Sequence, residues 1–453
     1  MVSRVSVRLT PGMQRVEYHV PRKFDEQTPP AAFSSTILME KPVPPGVIPR
    51  VPTDNGAQNS PVIMVDDLTV ARHFRGPQCP TKIDGYLKPG VPALQAHIGV
   101  YKDGWLIGLT LVHTVFDAEA AGVILRAWAA TTRGELDSVV ASPRDYSPLQ
   151  TEAIKEIATK HGETFESKRD HGFRLVSFLS LLAFLVRYVW SLIRAGPQET
   201  VIIRMPKSWA RQQKETANAE LGKRDGEEST GPKFVSTNDI LTAFLFKVCQ
   251  LIALSQKKNN PPARKFCFAH RTDSQLQNLL VSIDLRRALP AAFPTSKAFI
   301  NNAVTSFGPS PVPASTLATE PLSTSAIRLR GALDRFRSGP VAAEIAFFCQ
   351  KSDAGTLLLP APPGQWFSIA SSWLQSKFSS IEFAVDPDMV THGERKTVRP
   401  IYVPGYFLER PMDLGLVVSE DETAYWATWQ TSKKNLRQIR DVLHANGEVH
   451  FTF

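Results

Sequence analysis

Residues 105–128 read WLIGLTLVHTVFDAEAAGVILRAW. The first part, WLIGLTLVH (105–113), has the apolar content of a buried strand. With LQAHIGVY (94–101) it forms a hairpin across the tight turn Lys102-Asp103-Gly104. From Ala118 the pattern changes, and Ala121, Ile124, Leu125 and Trp128 recur at helical spacing through an alanine-rich run. The junction therefore places His113 at the end of a strand and Asp117 at the start of a helix. Among ten histidines a His-x-x-x-Asp spacing arises readily by chance, so its placement carries more weight than the motif. A histidine on such a junction is held by rigid elements and can face a cleft. The positive end of the helix dipole disfavours imidazolium there, which suits a proton acceptor. Two other readings stand beside this one: Asp117 as the N-cap of the helix, and His113 as a satisfied core histidine.

Outward from this junction, strands and helices alternate through both halves. The first 60 residues are proline-rich, with VPPGVIPRVP (43–52) favouring extended backbone and turns. Residues 133–172 are polar and turn-rich, with a short helix expected near 150–160. VIIRMP (201–206) reads as a strand, and the charged run 211–233 as a solvated linker or helix plus loop. Helices are expected over STNDILTAFLFKVCQLIAL (236–254) and STSAIRLRGALDRF (323–336). LLVSIDLRRAL (279–289) reads as a strand running into a loop, and WFSIASSW (366–373) as a strand. TAYWATW (423–429) followed by SKKNLRQIRDVLHA (432–445) reads as strand then helix. At 453 residues two domains are natural. The pattern predicts a mixed α/β (α+β) fold with domains at 1–210 and 236–453 joined by 211–235.

The net charge of +9 is scattered along the chain in single residues and pairs, which argues against nucleic acid and suits either a small polyanion or plain solubility. The four cysteines Cys79, Cys249, Cys267 and Cys349 show no CxxC spacing and read as buried free thiols of a reducing compartment. The start, MVSRVSVRLTPG, has no apolar core of signal-peptide length, so a cytoplasmic protein is expected. The run FRLVSFLSLLAFLVRYVWSLIR (173–194) approaches bilayer-spanning length but is broken by Arg187. It reads first as a buried helix, with membrane insertion or surface docking as the alternatives.

Five segments occur in the order found in one enzyme family. HTVFDA (113–118) resembles the family's HxxxDG motif, and STNDILTAFLF (236–246) its S-T-N-D helix start. SIDLRRALP (282–290) with FINNAV (299–304) resembles its V-D-x-R…F-G-N-A-V block. SAIRLRGAL (325–333) resembles the following helix, and SSW (371–373) with IEFAVD (381–386) its S-W…D-F-G-W-G block. By this resemblance the chain is identified as a member of the BAHD acyltransferases, in their fungal branch. The resemblance implies two chloramphenicol acetyltransferase-like domains with the active site in a channel between them. It implies acyl transfer from acyl-CoA, with acetyl-CoA as the expected donor, to a hydroxyl of a fungal secondary metabolite such as a terpenoid or polyketide. His113 would be the general base, with Asp117 paired to Arg286 as a structural and orienting element. Ser371 and Trp373 would line the acyl-transfer centre, and Ser236, Thr237 and Asn238 the coenzyme A site. No permanently bound cofactor, no metal and a monomer are expected.

Some positions depart from the family pattern. Ala118 replaces the motif glycine, Glu382 and Ala384 replace Asp and Gly, and QRVEYHVP (14–21) lacks the family's preceding strand and helix. These departures keep open a truncated or non-catalytic ligand-binding relative, and the apolar run 173–194 a membrane-associated lipid acyltransferase.

Overall fold

The computed structural model describes residues 4–10, 13–19, 31–51, 59–65, 68–88, 90–142, 198–224, 231–258, 276–293, 296–337, 367–384, 397–406 and 414–432, with short strands and single positions elsewhere. The chain opens with a hairpin, β1 (Arg4–Thr10) and β2 (Met13–His19), followed by β3 (Ala32–Leu38) and β4 (Val62–Val65). A short helix, α1 (Ile83–Tyr86), leads into β5 (Leu94–Tyr101) and β6 (Trp105–Leu111), and these into α2 (Ala118–Thr132). β7 (Arg174–Val176) and β8 (Gln198–Pro206) precede two long helices, α3 (Lys207–Arg224) and α4 (Thr237–Lys258). β9 (Leu276–Asp284) runs into a single turn, α5 (Leu285–Ala288). β10 (Val304–Phe307), β11 (Val312–Pro313), α6 (Ala314–Thr319) and α7 (Leu322–Arg337) follow. The remaining strands are β12 (Leu357–Leu359), β13 (Phe367–Ser372), β14 (Phe383–Ala384), β15 (Thr397–Val398), β16 (Leu414–Glu420), β17 (Ala424–Ser432) and β18 (His450–Thr452).

A mixed sheet organises the second half, in the order β10-β9-β13-β16-β17-β8-β4-β18, with β11 also paired to β9. β9, β13 and β16 run parallel, whereas β16, β17 and β8 alternate in direction. β4 and β8, both before residue 210, are hydrogen-bonded into this sheet, so sheet membership crosses the stretch 211–235. α4 covers one face because Leu241, Leu245 and Val248 form a helical stripe. They pack on Ile203, Val417, Ala427 and Trp429. Ile240 and Ala243, on the other side of α4, pack against α3 and α7 through Leu221, Ala326 and Ile327. A smaller sheet, β3-β5-β6, carries the hairpin expected over 94–113. Gly108 lets the 3₁₀ helix Leu68–Phe74 lie directly on β6, since a Cβ there would meet Phe74 O at 1.7 Å.

Two expectations change, on His113 and on 173–194. β6 ends at Leu111, and His113 lies two residues further on in a turn, not on the strand. Of the two readings of the charged region, helix holds over 207–224, and Ala217 and Leu221 give that helix a buried face. A single buried helix over 173–194 does not hold: Arg174–Val176 pair with β12, while helical Leu182 and Val186 are 49% and 62% exposed. No helix among the described residues is long and apolar enough to cross a membrane. The helix expected over 432–445 lies outside the described residues except Leu436, which is helical and buried. Cys79 is buried and free, and the side chains of the other three cysteines lie outside the described residues.

Candidate active site

Between β6 and α2 the chain makes a compact turn whose shape is set by burial. Val112, Val115 and Phe116 are buried with Tyr86, Leu94 and Ala120, and the amides of Val115 and Phe116 both donate to Val112 O. With these three side chains turned inward, His113 and Thr114 are exposed. The core-histidine alternative therefore does not apply to His113. Its ring is oriented locally, with Nδ1 3.0 Å from Phe116 O. A carbonyl oxygen can only accept, so Nδ1 carries the proton in this bond. In the neutral ring the basic lone pair then resides on Nε2, the arrangement a general base requires.

Asp117 is 3% exposed and serves two purposes at once. As the N-cap of α2 it accepts from Ala120 N at 2.9 Å. Its carboxylate also accepts from Arg286 Nη1 at 2.9 Å and Nη2 at 3.2 Å, and from Ala303 N at 2.7 Å. Arg286 spends its other donors on Asp284 Oδ1, Phe299 O and Asn301 O, and its guanidinium lies over the Phe299 ring. Burial, the largest influence on both ions, disfavours charge. At Arg286 the neighbouring carboxylates Asp117 and Asp284 outweigh it and hold the guanidinium above its ordinary range. At Asp284 burial prevails and raises the carboxyl above its ordinary value despite Arg286.

The loop 299–303 completes the clamp. Asn302 Nδ2 donates to His113 O at 2.8 Å, and Asn302 N donates to Val115 O at 2.7 Å. This residue escaped the sequence reading. It sits within the quoted FINNAV segment, but nothing in its type or spacing marks it as a clamp on a turn 189 residues away.

Ser371 ends near the carboxyl edge of β13 and is level with Leu416. Trp373 follows the strand, is half-buried, and packs with Ala121, Phe378 and Phe383 beside α2. The segment after it is fastened to α2: Ser376 Oγ donates to Glu119 Oε2 at 3.0 Å, and Arg126 Nη1 donates to Ser376 O at 2.7 Å. Trp373 and the helix that starts at Asp117 therefore belong to one packed unit. The divergent IEFAVD segment docks at the opposite end of α2. There Arg133 donates to Glu382 O, Thr132 Oγ1 accepts from Ala384 N, and Trp128 meets Phe383 edge-on. With fifteen helical residues between, this contact lies about 22 Å from the His113 end.

At the start of α4, Ser236 and Asp239 form a reciprocal cap. Ser236 N and Oγ both donate to Asp239 Oδ2 at 2.7 Å, and Asp239 N donates to Ser236 Oγ at 3.3 Å. Asp239 is also the buried partner of Arg330 on α7, which reaches it through Nε at 2.8 Å. The S-x-x-D spacing was the signal available for the cap; the arginine was not legible. Thr237 is hydrogen-bonded with Tyr425, and Asn238 Oδ1 is buried without a hydrogen-bond partner.

This turn, clamp and strand edge coincide with a family match. The model of the Transferase family matches residues 77–403, and the chain belongs to this BAHD-type family. Among curated relatives, "Acetyltransferase sphE" of Aspergillus fumigatus is 24% identical over 92% of this chain and 81% of its own length. "Acetyltransferase adrJ" of Penicillium roqueforti is 25% identical over 83% and 71%. "Transcriptional regulator sdnM" of Sordaria araneosa is 25% identical over 58% of this chain and 51% of its own length, so the chain spans about half of that relative. Among solved structures, F. graminearum TRI101 complexed with coenzyme A and deoxynivalenol shares the fold. Its TM-score is 0.55 at 15% identity, over 98% of this chain and 85% of that one.

Proposed function

We propose that the protein is an acyl-CoA-dependent O-acyltransferase that acetylates a hydroxyl of a lipophilic secondary metabolite. The observation that carries this reading is the exposed His113, whose Nδ1–H is committed to Phe116 O. In this mechanism His113 Nε2 removes the acceptor hydroxyl proton while the oxygen attacks the thioester carbonyl. The tetrahedral oxyanion collapses with cleavage of the C–S bond, and the imidazolium returns its proton to the departing sulfur. Ser371 and Trp373 are the candidate donors to the oxyanion, and Ser236, Thr237 and Asn238 line the donor site. Asp117 and Arg286 fix the turn and do not touch substrate. The channel runs between 1–210 and 236–453, joined through 211–235, with β4 and β8 contributed across that division.

Relatives named acetyltransferases in fungi support this reading, as do TRI101 structures holding coenzyme A with T-2 or deoxynivalenol. A terpenoid or polyketide alcohol as acceptor, a monomeric state and a cytoplasmic location are part of the proposal. The test is thiol release from acetyl-CoA against a panel of hydroxylated terpenoids and polyketides. Acceptor-dependent release that disappears in His113→Ala supports it; release unchanged by that substitution sinks it.

A second reading is a non-catalytic ligand-binding relative, favoured by the two similar proteins named transcriptional regulators. Coenzyme A binding by a folded protein, with no acceptor-dependent release across the panel, would favour it.

A further inference from the structure

The polar contacts around the His113 turn close into a ring. Asp117, at the start of α2, is held by Arg286, whose Nη1 also donates to Asp284 Oδ1 at 2.8 Å. Arg287 Nε lies 3.7 Å from Asp284 Oδ2, and its Nη1 donates to Gln375 Oε1, on the second residue after Trp373. Ser376 returns the ring to α2, because its hydroxyl donates to Glu119 Oε2 at 3.0 Å. The ring joins three distant segments, those that carry His113, Arg286 and Trp373.

At its α2 side the ring is built for close approach. Ser376 is 2% exposed, and its carbonyl oxygen accepts from Arg126 Nη1 at 2.7 Å. A Cβ on Gly122 would lie 3.1 Å from Ser376 Cβ and 3.3 Å from Ser376 O, so a larger residue presses the segment off the helix. Glycine is disfavoured inside a helix, and α2 is otherwise rich in alanine, the strongest helix former. Gly122 is therefore explained by the approach of Ser376 and not by helix propensity. Glu119 sits in the first turn of α2, where the helix dipole favours a carboxylate, and also accepts from Arg126 Nη2 at 3.1 Å.

On its other side Ser376 is tied to Trp373 by a tight turn. Ser376 N donates to Trp373 O at 2.9 Å, and Trp373 N donates to Val417 O at 2.7 Å. Lys377, the next residue, takes a left-handed conformation with φ 50°, which is unfavourable for a residue with a side chain. Such backbone persists where the surroundings over-determine it. Whatever fixes Ser376 on α2 thus also fixes the turn that begins at Trp373.

We propose that Glu119 and Gly122 are positioning residues for acyl transfer. Glu119 draws Ser376 onto α2, Gly122 makes room for it, and the turn 373–376 carries the setting to Trp373. The indole N–H is thereby held at a fixed place relative to His113, which stands at the head of the same helix. Both residues act through Trp373. The assignment rests on the acyltransferase reading above and deepens it, by naming what sets the distance between the proton acceptor and a candidate oxyanion donor.

The test is steady-state thiol release from acetyl-CoA by wild type, Glu119→Ala, Glu119→Gln and Gly122→Ala, with an acceptor that wild type uses. Glu119→Ala and Gly122→Ala are expected to lower kcat about ten- to hundredfold, the cost of a misplaced group, and to leave both KM values within twofold. Glu119→Gln keeps an oxygen for the Ser376 hydroxyl and should retain most of the rate. Rates are scaled to folded protein by circular dichroism. Ser376→Ala, which removes only the hydroxyl, replaces Glu119→Ala if that variant does not fold, and should show the same split. A wild-type kcat in the alanine variants, a rise in KM in its place, or a loss shared in full by Glu119→Gln overturns the assignment while the acyltransferase reading stands. If wild type releases no thiol with any acceptor, or release is unchanged in His113→Ala, that reading falls and takes the assignment with it.

Discussion

Arg286 holds both oxygens of the Asp117 carboxylate across 169 residues, and Asp117 caps α2 with the same group. The catalytic turn is thereby anchored at its helix end to the loop after β9. Removing one partner leaves a buried charge, which typically costs about 3–5 kcal/mol. Asp117→Asn keeps the N-cap and loses the ion pair, so it should be milder than Asp117→Ala. Thermal melts should rank wild type, Asp117→Asn and Asp117→Ala in falling order. Equal melting temperatures would remove the clamp from the account.

Asn302 grips the backbone of His113 and touches the turn at two points. Asn302→Ala should leave the imidazole in place but free its backbone. Turnover is expected to fall by about tenfold, for one lost positioning bond of roughly 1 kcal/mol or slightly more. His113→Ala should cost about two to four orders of magnitude. Rates compared side by side check the ordering, which a larger loss in Asn302→Ala than in His113→Ala would reverse.

Asp239 and Arg330 form a second buried pair, 2% and 4% exposed. Arg330→Met alone strands a buried carboxylate and should destabilise by about 3–5 kcal/mol. The double replacement Asp239→Leu with Arg330→Met should recover much of that loss, because no charge is left unpaired. Denaturant unfolding of the three proteins measures the coupling. A double variant no better than the single would contradict it.

Asp421 lies in the β16–β17 turn and accepts from Trp426 Nε1, Thr423 N and Oγ1, and Ala424 N. Burial alone would raise its carboxyl, but these donors prevail and hold it below its ordinary value. A depressed folded value means stability present above the unfolded value, about 3.9, and lost as pH falls through the folded one. Acid unfolding curves should therefore be shallower below about pH 4 in Asp421→Asn than in wild type. Identical slopes would show that the turn does not contribute.

Much of this architecture is local and could be read along the chain. The hairpin 94–113, the helix from Ala118, the helix from Thr237 and the strand ending at Ser372 follow from periodicity, turn residues and caps. The reading failed where the deciding forces were not local. His113 left the strand because burial of Val112, Val115 and Phe116 tightened the turn. Between linker and helix over the charged stretch the sequence left the choice open, and the core that Ala217 and Leu221 find against α4 and α7 decided it for 207–224.

What the sequence determined by itself was the alphabet of the site: a histidine before a helix cap, an Asp-x-Arg turn and the order of the segments. Only the tertiary structure decided that one guanidinium gathers Asp117, Asp284 and two loop carbonyls, and that Asn302 holds the turn. Hydrogen bonds and ion pairs act over a few ångströms in space, whereas these partners, Asp284 aside, stand 13 to 189 residues apart along the chain.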